Sequence, residues 1–421
     1  MKILRLPGDK SISHRALMLG TFTRERSRVR GLLTGEDLHS TARVMRQMGA
    51  VIPDLNDHEL VVNGVGRGAL FSPTEPLDCG NSGTTARLLL GAVAGLPIEA
   101  IFTGDDSLRS RPMRRITDPL SALGARFDEL GGEGRLPIRV HGGSLRAGDF
   151  TTPHASAQIK SALLLAALCA GVEMQVTEPT RTRDHTERML RSMGVRIEEE
   201  MLADGSNRVR LHPAEELGGL DIDIPADISS AAFLLAAAIL GVTPTVRLVN
   251  VGTNPARTGF LDALQAMQVS VERENERETG GEPIADLVVG AQPFVATTVQ
   301  GTLVPRMIDE IPVLAVLGAR AQGETMVRDA GELRVKESDR IRVVVENLRA
   351  IGVEAEELPD GLIVQGTDRP LKGPIRVAND HRIAMAFGLL AAQPGNDIRI
   401  DHPEVAAVSF PDFWPMLGVQ P

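Results

Sequence analysis

The sequence predicts an α/β protein made of two similar domains, each of three repeated units. Six stretches share one plan: a polar or charged cluster, then an Ala/Leu-rich run of helical character that closes in most cases on glycine. A second pattern recurs five times, an amphipathic helix ending on Gly, or once on Gln, and then a strand. Between the third and fourth stretches of the first set lies a Gly- and Pro-marked crossing, LGGLDIDIPAD, around Leu220 to Ala226. Three units precede it and three follow.

The units read as follows in chain order. The first opens with DKSISHRALMLG from Asp9, continues with the amphipathic TARVMRQMGAVI and adds the β-rich ELVVNGVG. The second comprises GNSGTTARLLLG from Gly80, ITDPLSALGARF and RLPIRVHGG, and the third SAQIKSALLLAALCAG from Ser156, TERMLRSMGVRI and NRVRLHP. The fourth runs through ADISSAAFLLAAAILG from Ala226, TVRLVNVG, FLDALQAMQVSV and ADLVVGAQ. IDEIPVLAVLGARAQG from Ile308, VVENLRAIGVEA and GLIVQGT make the fifth, and DHRIAMAFGLLAAQPG from Asp380 opens the sixth. In the amphipathic set, apolar positions three and four apart define one buried face, and the closing Gly stands where a left-handed residue ends a helix. Starts recurring at roughly 70 to 80 residues are too widely spaced for a solenoid and suit a βαβ-type subdomain repeated six times.

Composition bounds the function. Two cysteines, Cys79 and Cys169, supply neither a disulfide framework nor metal-ligand spacing, so each reads as a buried small residue in a protein of the reducing cytoplasm. No apolar run is long enough to span a bilayer, and the N-terminus MKILRLPGDKS has no apolar signal region. A net charge of −10 and 3 % aromatic residues, none of them tyrosine, argue against a nucleic-acid partner. An acidic protein still binds small anions when its bases are concentrated at one place.

The polar heads supply such places. A helix N-terminus offers unpaired N–H groups and the positive end of the dipole, which favour anions. Four heads also carry bases: Lys10 and Arg15, Arg87, Lys160, and Arg382. Two further clusters are SLRSRPMRRI, with Arg109, Arg111, Arg114 and Arg115, and ELRVKESDR, with Arg334, Lys336, Glu337, Asp339 and Arg340. Either cluster is alternatively a solvated helix face held by ion pairs. Asp309 opens the fifth head and Glu337 lies among bases. Asp309 is readable as a helix N-cap and Glu337 as an ion-pair partner of Lys336 or Arg340. As functional groups, carboxylates among cations serve as proton donor and acceptor on an anionic substrate. His14 and His381, each followed by arginine, read as hydrogen-bonded structural residues.

GDKSISHRAL, LDCGNSGTTARLL, SRPM, SAQIKSALLLA, TRTRDHTERML, IDEIPVLAVLGA, ELRVKESDR, NDHRIAMAF and SFPDF occur in this order across nearly the whole chain. Together they resemble the 5-enolpyruvylshikimate-3-phosphate synthase family. The resemblance implies two domains of three βαβαββ units each, an inside-out α/β barrel arrangement known as the enolpyruvyl transferase fold. Residues 9–225 would form one domain, and residues 226–421 with 1–8 the other, with the active site in the cleft between them. It also implies an enzyme of the shikimate pathway to chorismate and the aromatic amino acids, a cytoplasmic monomer that needs no cofactor or metal and acts on small-molecule substrates without nucleic acid or membrane. Such an enzyme transfers the enolpyruvyl group of phosphoenolpyruvate to the 5-hydroxyl of shikimate 3-phosphate, and many members are glyphosate targets.

Matched residue by residue, the resemblance implies phosphoenolpyruvate ligands at Lys10, Asn81, Gly83, Arg111, Gln158, Arg340 and Arg382. The implied shikimate 3-phosphate ligands are Lys10, Ser11, Arg15, Ser156, Gln158, Arg183, Asp309 and Lys336. Asp309 is the candidate base at the 5-hydroxyl and Glu337 the candidate acid at C3, with Lys10 sharing the proton traffic. Two positions depart from the pattern: Val408 stands where some members carry lysine, and no tyrosine is present near the shikimate phosphate, where Arg183 is the candidate substitute. The neighbouring UDP-N-acetylglucosamine enolpyruvyl transferases typically carry Lys-Asn where this chain has Lys10-Ser11, and a loop cysteine that the SRPM region lacks. A non-catalytic sensor of phosphorylated metabolites is the alternative of a different class; it has no use for Asp309 and Glu337.

Overall fold

The computed structural model describes residues 1–419. The chain divides into two compact units. One comprises Gly8–Ile224 with Thr279–Glu282; the other comprises Met1–Pro7, Pro225–Glu278 and the chain from Pro283 onward.

Each of the six heads is a helix: Lys10–Phe22, Gly83–Gly95 and Ala157–Ala170 in the first unit, Ile228–Ile239, Ile311–Gly318 and His381–Ala391 in the second. Every residue of Ile228–Ile239 is buried, as expected of a helix apolar on all sides. Their starts are set by short-range chemistry. The carboxylates of Asp9, Asp227 and Asp380 and the hydroxyl of Ser82 accept N–H bonds from the first turns of their helices. The expected closing glycines hold at Gly171 and Gly241, both at positive φ. Gly20 and Gly91 instead lie inside helices that run on to Phe22 and Gly95. Gly91 is there for proximity: a Cβ on it would come within 2.3 Å of the Ala162 carbonyl oxygen on the Ala157–Ala170 helix.

The amphipathic set forms helices Glu36–Gln47, Arg114–Ala122, His185–Ser192, Gly259–Ala266 and Arg340–Ala350. Just past their ends Gly49, Gly124, Gly194, Gln268 and Gly352 all take positive φ, 101°, 102°, 86°, 64° and 90°. Gln268 shows that the left-handed geometry is required even where glycine is absent.

Each sheet covers its unit's helices. The second repeat is βαβαββ in full: Leu77–Asp78 runs parallel to Glu99–Thr103, which pairs antiparallel with Ile138–His141, itself antiparallel to Arg126–Glu129. The third and fifth repeats have the same order, as four-stranded sheets. The first and fourth borrow their opening strands. Asp221–Asp223 pairs parallel with Arg26–Arg30, whereas Lys2–Arg5 pairs parallel with Val246–Gly252. The strand preceding each of these heads in sequence therefore serves the other unit. The sixth repeat keeps two strands, Lys372–Ile375 and Asp397–Ile400. Beyond them the chain lacks an alternating run, and Phe410, Phe413 and Trp414 pack into the core instead. No helix among the described residues is long and apolar enough to cross a membrane.

Candidate active site

In the first unit the N-terminal ends of the heads gather two groups of side chains. One centres on Gly83. Arg111 donates to Asn81 Oδ1 at 2.6 Å and to Ser107 Oγ at 3.2 Å, and Arg87 donates to Gln158 Oε1 at 2.7 Å. A Cβ on Gly83 would lie 3.3 Å from Arg111 Nη1 and 3.4 Å from Arg87 Nη1. The helix N-terminus that Ser82 caps is therefore faced by two guanidinium groups, a setting suited to phosphate or carboxylate. Sequence reasoning placed Arg87 at a head but not among the ligands; its spacing from Gly83, one helical turn, was the available signal.

The second group lies on the Lys10–Phe22 helix. Lys10 pairs with Asp37 at 2.5 Å. Arg15 is nearly buried and donates to Thr186, Ser161 and the Ser11 carbonyl. Burial pulls its pKa down to about 10 against the opposing charges of Glu187 and Asp9, and nearby Arg183 lowers it further. Ser156, also buried, holds the N-cap position of the Ala157–Ala170 helix without bonding a backbone N–H there, and Gln158 follows in its first turn. Asp37 and Thr186 were not anticipated; nothing local marks them, since their partners lie in other segments.

His14 behaves as the sequence suggested. Its Nδ1 lies 2.7 Å from Thr41 Oγ1, which continues to Thr85 Oγ1 at 2.7 Å and so to Ser82. Burial lowers its pKa from 6.5 to about 3; Asp37 opposes this, and Lys10 and Arg15 add to it. The unfolded chain therefore takes up a proton near pH 6.5 that the folded chain refuses. Stability from this source is complete above pH 6.5 and falls as the pH drops toward 3, by on the order of 2–3 kcal/mol at pH 4.5. Urea unfolding of the protein and of His14→Asn at pH 7 and 4.5 checks this. The variant should lose less stability on acidification, and equal losses would contradict the assignment.

In the second unit a single arginine organises the carboxylates. Arg340, 1 % exposed, donates from Nε to Asp380 Oδ2 at 2.8 Å, from Nη1 to Asp309 Oδ1 at 3.2 Å and from Nη2 to Glu337 Oε2 at 2.7 Å. Burial works against its charge, but Asp380, Glu337 and Asp309 together raise its pKa above the usual arginine value. Lys336 Nζ lies 3.7 Å from Asp309, and Arg382 Nη1 donates to the Asp309 carbonyl at 3.1 Å. Asp309 does not cap the Ile311–Gly318 helix; Glu310 holds that position without a side-chain cap bond. Glu337 pairs with Arg340 rather than Lys336. Glu310 is itself buried, accepts from Ser229 Oγ and lies 3.9 Å from both Arg257 and Arg382. Asp380, Glu310 and Arg257 thus lie in this cluster without being among the sequence's candidate ligands; Glu310 stood beside Asp309 at the fifth head, Asp380 was visible as a helix start, and nothing local marked Arg257.

The basic clusters divide sharply. Of the SLRSRPMRRI arginines, Arg111 reaches Asn81, whereas Arg109 pairs with Asp106 and Arg114 with Glu129 and Glu133 on the surface. Arg334 ties Asp339 to Glu357, and exposed Arg342 lies near Glu346. Val408 falls in the short 3-10 turn Pro403–Val408. Groups of His, Cys, Asp and Glu able to hold a metal are absent among the described residues.

Two basic helix-end clusters and a carboxylate pair on one arginine are the equipment of an enzyme acting on small anions. The fold is that of the enolpyruvyl transferases: the enolpyruvyl transferase NikO from Streptomyces tendae matches with TM-score 0.74 over all of this chain and 95 % of its own, at 18 % identity. EPSP synthase from Acinetobacter baumannii superposes with TM-score 0.85 at 40 % identity, covering 99 % of this chain and 94 % of its own. The family model of EPSP synthase (3-phosphoshikimate 1-carboxyvinyltransferase) matches residues 1–417. Relatives of that name from Gloeobacter violaceus and Alkalilimnicola ehrlichii are 46 % and 47 % identical, each over 99 % of this chain and over 95 % and 92 % of their own lengths. The chain belongs to the EPSP synthase family of transferases.

Proposed function

We propose that this protein transfers the enolpyruvyl group of phosphoenolpyruvate to the 5-hydroxyl of shikimate 3-phosphate and releases inorganic phosphate. The observation that supports this reading best is the arrangement of Asp309 and Glu337 on Arg340, two carboxylates within hydrogen-bonding distance of one buried cation. In the first step Asp309 accepts the 5-hydroxyl proton as that oxygen attacks C2 of phosphoenolpyruvate, and Glu337 delivers a proton to C3. The adduct carries a methyl group and the phosphate ester on one carbon. In the second step the methyl group returns a proton to the Glu337 carboxylate, the C2–O bond breaks with inorganic phosphate leaving, and the double bond re-forms. Lys10 shares in these transfers.

Lys10, Asn81, Gly83, Arg111, Gln158, Arg340 and Arg382 serve phosphoenolpyruvate in this reading. Lys10, Ser11, Arg15, Ser156, Gln158, Arg183, Asp309 and Lys336 serve shikimate 3-phosphate. Planar guanidinium forks match carboxylate and phosphate, and Arg87 joins the first set because it stands against Gly83. This reading draws on residues of both units. Localisation in the cytoplasm and action as a monomer belong to the same reading.

Phosphate release from phosphoenolpyruvate tests it, with shikimate 3-phosphate or UDP-N-acetylglucosamine as acceptor. Release with the first acceptor alone is expected; release only with the second, or with neither, would refute it. Gly83→Ala adds a prediction. The new methyl group sits against two guanidinium ends at 3.3 and 3.4 Å, narrowing the site, and glyphosate inhibition should weaken on the order of 10-fold or more. Unchanged inhibition of the variant would show that glyphosate does not approach Gly83.

A further inference from the structure

Arg15 is gripped rather than merely buried. Its Nε donates to Thr186 Oγ1 at 2.7 Å, its Nη2 to Ser161 Oγ at 2.8 Å, and its Nη1 to the Ser11 carbonyl at 2.9 Å. The two hydroxyls are bonded to each other, Thr186 Oγ1 donating to Ser161 Oγ at 2.9 Å. Guanidinium, threonine and serine thus close a triangle, and both hydroxyl residues are fully buried.

The hydroxyls come from different helices, Ser161 from Ala157–Ala170 and Thr186 from His185–Ser192. Each has a charged neighbour in sequence that joins the same two helices. Lys160 Nζ lies 2.9 Å from Glu187 and 2.7 Å from Glu178, with all three side chains 0 % exposed. The start of the His185–Ser192 helix is fixed from its other side as well. His185 Nδ1 meets Glu282 Oε1 at 2.8 Å, and Arg188 donates to the Gly281 carbonyl at 2.8 Å. The ion pair and these tethers hold the two hydroxyls at the separation that the edge of the guanidinium needs. Threonine suits the position, because its branched Cβ restricts χ1 within a helix.

We propose that Thr186, together with Ser161, is a positioning residue for the reaction: it holds the plane of Arg15 so that the guanidinium meets the shikimate 3-phosphate. This rests on the reading of Arg15 as a ligand of that substrate. An arginine held in one orientation loses little side-chain freedom when the substrate arrives, and without the grip that cost falls on binding. The effect should fall on the acceptor, since Arg15 bonds Ser11, Ser161 and Thr186, none of them in the phosphoenolpyruvate set.

Steady-state phosphate release tests the grip, with KM measured for each substrate. Thr186→Val should raise KM for shikimate 3-phosphate about 10- to 100-fold, the range for losing a hydrogen bond to a charged group, and move KM for phosphoenolpyruvate by no more than about 2-fold. Thr186→Ser should restore most of the loss, which general damage to the helix would not allow. Should Thr186→Val fail to fold, Ser161→Ala supplies the same comparison. Arg15→Lys separates the premises. If it leaves the shikimate 3-phosphate KM unchanged, the ligand role of Arg15 is wrong and the proposal falls with it. If Arg15→Lys raises that KM while Thr186→Val and Ser161→Ala do not, Arg15 is a ligand and the grip is wrong. Parallel rises in both KM values would likewise overturn it.

Discussion

Asp309→Asn is expected to lower kcat by about 10²–10⁴-fold, the usual contribution of a positioned general base. Asparagine keeps the shape of the side chain and an oxygen for Arg340 Nη1, now 3.2 Å away, so the geometry should persist while the proton acceptor is lost. KM values should move much less than kcat, because the interaction removed belongs to the transition state. Phosphate release at saturating shikimate 3-phosphate and phosphoenolpyruvate measures the effect, with a melting curve confirming the fold. A kcat within a few-fold of the parent would move the base elsewhere, with Glu337 or Lys10 the next groups to replace.

The largest effect on stability is expected from Lys160→Met. Lys160 lies between Glu178 and Glu187, at 2.7 and 2.9 Å, where none of the three is reached by water. Burial disfavours its charge, but Glu187 and Glu178 more than compensate and raise its pKa; burial also holds the Glu187 carboxyl above the usual carboxylate range. Methionine fills similar space but leaves two buried carboxylates without their cation, and removing one partner of a buried pair costs about 3–5 kcal/mol. Urea unfolding at pH 7 should show a loss of that size. Lowering the pH should narrow the gap to the parent, because burial makes the stranded Glu187 carboxyl protonate more readily than in the unfolded chain. A loss under about 1 kcal/mol would mean that water or other donors replace the ammonium group.

Much of the architecture was legible in the residues. The six heads and the five amphipathic helices recur in the structure because each rests on chemistry within a few residues. Asp9, Asp227 and Asp380 cap helices they directly precede, and the left-handed turn at Gln268 repeats four glycine-bearing counterparts. The exchange of opening strands was not legible: Asp221–Asp223 and Lys2–Arg5 are short, and their partners lie far away in sequence. Gly20 and Gly91 lie inside helices rather than at their ends; at Gly91 a glycine required by a close neighbour looks the same in sequence as one required by a turn.

The site divides along the same line. By itself the sequence determined which segments hold polar groups at helix starts and arginine-rich loops, since these are local features, and nine ordered motifs identify the family. Only the tertiary structure decided which members of those segments meet. It turned Arg111 toward Asn81 while Arg109 and Arg114 went to surface carboxylates, placed Asp309 and Glu337 on Arg340, and gave Arg15 its hold from Thr186 and Ser161. The physical reason is range. Helix caps and turns are settled by neighbours along the chain, whereas a charge inside a protein finds its counter-charge in whichever segment the packed helices bring beside it.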